Sequence, residues 1–319
     1  MSISQSNNLK ITEVSEDILH VHQIKSPFYF SCCDGLLILP KEGRNKITIA
    51  LDLNVEPHLI QNISDVYGPV SDYVCSHCHM DHITHIHQWE TFGATIHVPS
   101  PESSFLLDLY NFYEGFGFNN VMEYSIIETF AKANGFNPCN SVKPFKPGIK
   151  LRFDNFVVET IRFKGHSKAH IGFLLPKERI FHISCLGFDQ PKPGIEGFGP
   201  WYGFEECSIS QYLEDINLAE SIYLQFADFL TSSHSYIVKN PDKTPFIYMK
   251  EKIEKNQSIV DQAILSLKSS KNFALSIDEL LKLDLFFPKR KMKGFILEIY
   301  NYWESGIISK HIQRSKYLI

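Results

Sequence analysis

Residues 76–82 read Ser-His-Cys-His-Met-Asp-His, which places three histidines and one aspartate in six consecutive positions from His77 to His82. Imidazole and carboxylate at this density suit metal ligation; a packed core cannot hide them and a solvated loop does not need them. At the end of a strand, His77 and His79 alternate onto one side and can share one ion. Asp81 and His82, just past the turn, can reach a second ion nearby. The segment by itself points to two metals.

Further ligand candidates lie far along the chain at positions of the same kind. His166 follows Lys164-Gly165 at the end of an apolar run, where glycine permits a sharp turn and the imidazole can close a three-histidine site with His77 and His79. His234, in Thr231-Ser232-Ser233-His234-Ser235, follows the apolar run Tyr223 to Leu230 and can join Asp81 and His82. Between them, Ser184-Cys185-Leu186-Gly187 offers Cys185 as a soft donor directly after a strand.

These residues need elements to carry them. Ile11 to Gln23, Phe28 to Leu39 and Lys46 to Leu51 read as strands, separated by Ser-Pro and Glu-Gly breaks and followed at once by Asp52-Leu53-Asn54. Leu59, Ile60, Ile63 and Val66 have helical spacing between Pro57 and Tyr67, and Asp72 to Cys75 then reads as a buried strand running into the histidines. Ile83 to Phe92 predicts a helix, Ala94 to Val98 a strand, and Glu102 to Tyr124 an aromatic-rich helical insertion. A second block of strands covers Lys150 to Phe153, Phe156 to Phe163, Ile171 to Leu175 and Ile180 to Ser184. Two strand blocks with helices between them predict a sandwich of sheets with helices outside. Beyond Pro241 and Pro245 the period becomes helical over Ile247 to Ser269, Ser276 to Asp284 and Lys291 to Ile308, with Ser276 and Glu279 spaced as a capping box.

The order His77-x-His79-x-Asp81-His82, then Gly165-His166-Ser167 with His170, then Cys185, then His234 resembles the metallo-β-lactamase-fold hydrolases, in particular hydroxyacylglutathione hydrolase- and lactonase-like members. The resemblance covers roughly Ile11 to His234. It implies an α+β fold, a four-layer αβ/βα sandwich occupying residues 1–240 with the aromatic insertion near 101–146. Residues 241–319 would form a C-terminal helical domain. It also implies that His77, His79 and His166 hold one metal and that Asp81, His82 and His234 hold the other. The family's bridging aspartate is replaced here by Cys185, with Asp189 four residues later as the other candidate. A thiolate ligand favours two zinc ions, with iron or manganese as alternatives.

Seven ligands over two ions leave positions for water, whose hydroxide is the expected nucleophile, with Asp81 orienting it and passing a proton to the leaving group. Gly197-Phe198-Gly199-Pro200-Trp201-Tyr202-Gly203 is the candidate pocket wall, and Tyr202 is assigned a hydrogen bond to a substrate carbonyl oxygen. The insertion's aromatic stripe, Phe105 to Phe118, reads as helix core or a dimer face before it reads as a substrate cap. His85 and His87 fall beyond the strand tip, as surface or supporting residues, and His170 is expected to be structural.

Composition narrows the function. A net charge of −5 disfavours nucleic acid as a partner, and the run Lys289-Arg290-Lys291 with Lys293 reads as a solvated surface segment. The polar start from Met1 to Asn8 carries no signal-peptide pattern, and no membrane span is expected. Seven cysteines without a spaced framework suggest reduced thiols in a cytoplasm. The expectation is a cytoplasmic dinuclear metal-dependent hydrolase, with a homodimer as its candidate assembly, that cleaves an ester, thioester or lactone of a small molecule. The alternative is a non-hydrolytic member of the fold, a di-iron redox protein or a metal-containing ligand sensor.

Overall fold

The computed structural model describes residues 8–26, 31–42, 46–187, 199–234, 237–269 and 276–317. The first sheet is ordered β1 (Leu9–Ser15), β2 (Ile18–Gln23), β3 (Gly35–Ile38), β4 (Thr48–Leu51), β5 (Val70–Val74), β6 (Thr95–Pro99) and β7 (Lys143–Phe145). Its first four strands pair antiparallel and the rest, from β4 onward, parallel. The parallel crossovers run through α1 (Pro57–Tyr67), then through α2 (Met80–Ile83) and α3 (Ile86–Thr91), then through α4 (Leu109–Gly115) and α5 (Tyr124–Asn134). The second sheet contains β8 (Lys150–Phe153), β9 (Phe156–Arg162), β10 (Ile171–Leu175), β11 (Ile180–His182), β12 (Phe229–Thr231) and β13 (Val238–Lys239), in the order β13-β12-β11-β10-β9-β8. The helix α6 (Ile209–Phe226) links β11 to its parallel neighbour β12.

Period-two alternation assigns each strand's faces. Leu36, Ile38, Ile49 and Leu51 of the first sheet meet Phe156, Val158, Ile171, Phe173 and Leu175 of the second in one core. Leu37 and Ala50 turn the other way, into the core shared with Leu59, Ile60, Ile63, Ile86 and Trp89. Leu174 and Phe181 likewise face Tyr212, Ile216 and Tyr223 of α6. Two sheets packed face to face with helices outside give the expected α+β four-layer sandwich. The strand expected over Ile11 to Gln23 is a hairpin, because Glu16-Asp17 turns the chain between β1 and β2.

The aromatic insertion is core. Phe105, Phe112, Phe116 and Phe118 are each at most 6% exposed. The tail forms α7 (Thr244–Lys268), α8 (Ile277–Leu281) and α9 (Phe295–Arg314), and the Ser276 hydroxyl accepts the Glu279 amide at the start of α8. Phe246, Met249, Ile253, Ile299, Trp303 and Ile307 extend the core that contains α6, while Val260, Ala263, Ile264, Leu280 and Ile308 make a small core of their own. Gly306 lies so close to Gly203 that an added Cβ would sit 1.8 Å from its carbonyl oxygen. The basic run is only partly solvated, since Lys289 is buried against the fully buried Glu304 while Arg290 is exposed. Among the described residues, no helix is long and apolar enough to cross a membrane.

Candidate metal centre

Every segment that carries a candidate ligand follows a strand at one edge of the sandwich. β5 runs into His77–His82, β9 into His166, β11 into Cys185 and β12 into His234. The donor atoms of Asp81, His82, Cys185 and His234 all lie within 4.8 Å of one another, and so do those of His77, His166 and Cys185. The thiol of Cys185 is therefore common to both groups. Its Sγ is 2.8 Å from His82 Nε2 and 3.0 Å from His234 Nε2. On the other side, Nε2 of His77 and of His166 face each other at 3.1 Å. His79 packs its ring 4.4 Å from that of His77 and 4.5 Å from that of His166, and its buried Nε2 has no hydrogen-bond partner.

Three of these imidazoles are oriented in the same way. Nδ1 of His77 meets the Ser76 hydroxyl at 2.8 Å, Nδ1 of His82 meets Asp52 Oδ2 at 3.0 Å, and Nδ1 of His166 meets the Trp201 carbonyl oxygen at 2.9 Å. An outer partner on Nδ1 fixes the tautomer and leaves Nε2 to the interior of the cluster.

The protonation states fit a cation. Burial, reinforced by the neighbouring imidazoles, holds His77, His79 and His170 well below the ordinary histidine value, so they are neutral donors. The other group behaves oppositely. Burial would raise the Cys185 thiol, but His234 and His82 overrule it and hold it well below the ordinary thiol value. Burial would lower His82 and His234, but Asp52 leads the groups that raise the first and Cys185 leads those that raise the second. Asp81 is likewise kept ionised by His82 and His234 in spite of its burial. The two anions thus face imidazoles whose pKa values they raise, a balance of charge that a bound cation could take over. A thiolate, a carboxylate and neutral imidazoles are a donor set suited to zinc.

A third cluster, Cys33, Asp52 and His82, is support for the second group. Asp52 is fully buried and its oxygens are already taken: Oδ1 accepts the Ser76 amide at 3.0 Å, and Oδ2 accepts the hydroxyls of Ser184 at 2.8 Å and Ser233 at 2.9 Å. Asp52 and Ser184 both have positive φ, 56° and 51°, a conformation that non-glycine residues rarely hold and that concentrates at functional sites. Sequence reasoning does not single out Asp52, although its place directly after a buried strand is an available signal. Glu102, which the sequence marks only as the start of the insertion, escapes it as well.

Tyr202, to which the sequence reading assigns a catalytic role, does not join the cluster. Its ring is fully buried, and its hydroxyl accepts from Asn256 Nδ2 at 2.8 Å and pairs with His311 Nε2 at 3.0 Å. The adjacent Trp201 reaches His166 through its backbone carbonyl. The His170 ring packs edge-on or tilted 4.7–4.8 Å from those of His166 and His77. His85 is buried at the start of α3, outside both ligand groups. Asp189 and the Gly197-Phe198 part of the pocket loop lie outside the described residues.

No protein-family model and no curated protein matches the sequence. Solved structures do match its shape. A metallo-β-lactamase family protein from Thermus thermophilus superposes with a TM-score of 0.61 at 14% identity, over 91% of this chain and 90% of that one. The chain has the metallo-β-lactamase fold. A β-lactamase domain protein from Burkholderia ambifaria gives a TM-score of 0.64 at 12% identity, over 96% of this chain and 88% of that one. A metallo-β-lactamase from Pontibacter korlensis gives 0.52 at 13% identity, over 76% and 97%. In this metallo-β-lactamase fold, four loops at one edge of the sandwich bring donor atoms of six of the seven expected ligands into two groups that share Cys185, while His79 falls in neither group and packs its ring beside those of His77 and His166.

Proposed function

We propose that the chain is a dinuclear, metal-dependent hydrolase. One ion would be held by His77, His79 and His166, the other by Asp81, His82, Cys185 and His234. Zinc is the metal the reading favours, because of the thiolate. The observation that carries it is the position of Cys185, whose sulfur lies among the donors of both groups. Bound cations would supply Lewis acidity and a water of lowered pKa.

The chain's own residues do the rest. Asp81, ionised and 16% exposed, places Oδ2 3.0 Å from His234 Nε2 and 3.5 Å from His82 Nε2, where it can hold a proton taken from water and pass it to a leaving group. Asp52 keeps the His82 Nδ1 proton on the outside of the cluster. Phe116 and Phe204 pack on the His79 ring at 5.2 and 4.6 Å and exclude water from that side. The substrate class that suits such a site is a small ester, thioester or lactone, and the net charge of −5 gives no electrostatic support for nucleic acid.

The test is turnover by zinc-loaded protein of a panel of esters, thioesters, lactones and phosphodiesters. Hydrolysis of one of the first three that is lost on stripping the metal and restored on adding it back supports the reading. Full metal content with no turnover of any of them refutes it.

A further inference from the structure

Glu102 opens the insertion, 20 residues beyond the histidine motif, and its side chain returns to the site. It is fully buried. One carboxylate oxygen, Oε2, accepts the backbone N–H of Cys78 at 2.7 Å, and the other, Oε1, accepts the backbone N–H of Ala169 at 2.8 Å. Cys78 is the residue between His77 and His79, and Ala169 lies in the turn between His166 and His170. The Cys78 thiol also donates to the Glu102 carbonyl oxygen at 3.3 Å. The two loops are tied directly as well, where the Ile171 amide donates to the Ser76 carbonyl oxygen at 3.1 Å.

We propose that Glu102 is a positioning residue that staples the two histidine loops together, one oxygen to each, and so sets the separation of His77 and His79 from His166. The proposal rests on the reading that these three residues hold a metal. Both partners are N–H donors, so the group between them must accept on both of its terminal atoms, and an ionised carboxylate is the side chain that can do so. Glutamine has the same shape but presents an NH₂ in place of one oxygen. That NH₂ would face the N–H of either Cys78 or Ala169, and one loop would lose its tether. Burial of a carboxylate is unfavourable unless its hydrogen bonds are made, which argues that both tethers hold in the folded chain. The consequence is a pair of loops whose relative position is fixed before any ion arrives.

The experiment is a Co²⁺ titration of chelator-stripped wild type and Glu102→Gln, followed by the visible cobalt bands and by competition with a chromophoric chelator. The proposal expects E102Q to bind one of its ions about 10- to 100-fold more weakly, the usual effect of removing an outer support, with shifted visible bands. The near-ultraviolet thiolate-to-cobalt band from Cys185 should persist and show that the fold is retained. A purely structural role lowers the melting temperature but leaves cobalt affinity and band positions as in wild type, and that result overturns the proposal. Should E102Q fail to fold, Glu102→Asp, too short to reach both amides, carries the same comparison. Wild type that takes up no cobalt overturns the metal reading itself, a failure visible before any variant is made.

Discussion

Asp52 Oδ2 and His82 Nδ1 are 3.0 Å apart, and both side chains are fully buried. The pair joins the end of β4 to α2, the short helix that carries the last residues of the histidine motif. It fixes which nitrogen of His82 faces Cys185, and it is backed by three further donors to the same carboxylate, from Ser76, Ser184 and Ser233. Orientation of the His82 imidazole by a buried carboxylate is therefore built into the strand ends and does not depend on the surface loops.

Asp52→Asn keeps the shape and tolerates the positive φ, but it offers one acceptor where four donors converge. Zinc affinity measured by chelator competition should fall about 10- to 100-fold. Stability in urea should fall by about 1–3 kcal/mol. Unchanged affinity would show that His82 is not oriented through Asp52.

Cys185 gives a pH-dependent prediction. Its folded pKa is depressed by His234 and His82, so the metal-free protein holds a thiolate at neutral pH. Alkylation by iodoacetamide should fall only as the pH drops through that depressed value, well below the range where an ordinary thiol loses its reactivity. Cys32, pushed up by burial to about 11, and Cys33 and Cys78, raised well above the usual value by burial, should not react near neutral pH. Peptide mapping by mass spectrometry reads the site directly, and added zinc should protect it. Labelling of Cys185 only above about pH 8.5, the range of an ordinary thiol, would contradict the arrangement.

Tyr202→Phe separates a structural tyrosine from a catalytic one. Loss of the hydroxyl strands Asn256 and His311, so the urea midpoint should drop by an amount corresponding to about 1–3 kcal/mol. kcat on any substrate found should change by less than about threefold, well short of the loss expected when a transition-state hydrogen-bond donor is removed. A hundredfold loss of kcat would return Tyr202 to the active site.

Lys289→Met leaves Glu304 as an uncompensated buried carboxylate. It should destabilise the chain by about 3–5 kcal/mol in urea unfolding. Arg290→Ala, on the exposed side of the same run, should stay within about 0.5 kcal/mol. Equal effects would mean that the buried pair does not form.

The candidate ligands are legible in the sequence because their chemistry is local: three histidines and an aspartate crowd one strand end, and His166, Cys185 and His234 each follow an apolar run. The sandwich is legible because its strands are short runs rich in Ile, Val, Leu and Phe between turn residues, as in β4, β9 and β10. The supports are not. Asp52 acquires its role from Ser184 and Ser233, 132 and 181 residues away, and Glu102 from Ala169, 67 residues away. A lone carboxylate carries no local mark of such partners. Tyr202 misleads because a Gly-Pro-rich aromatic loop beside a site reads as a pocket wall, whereas the partners that claim its hydroxyl, Asn256 and His311, come from the tail helices. Lys289 reads as surface because its partner Glu304 lies on α9, and nothing in a basic tripeptide marks which lysine turns inward.

The most direct measurement is zinc content. Chelator-stripped wild type and Cys185→Ala are re-equilibrated with zinc, freed of unbound ion by gel filtration and analysed by mass spectrometry of the metal. The account predicts about two ions per wild-type chain and about one in the variant. Wild type without zinc, or a variant that retains both ions, would contradict it.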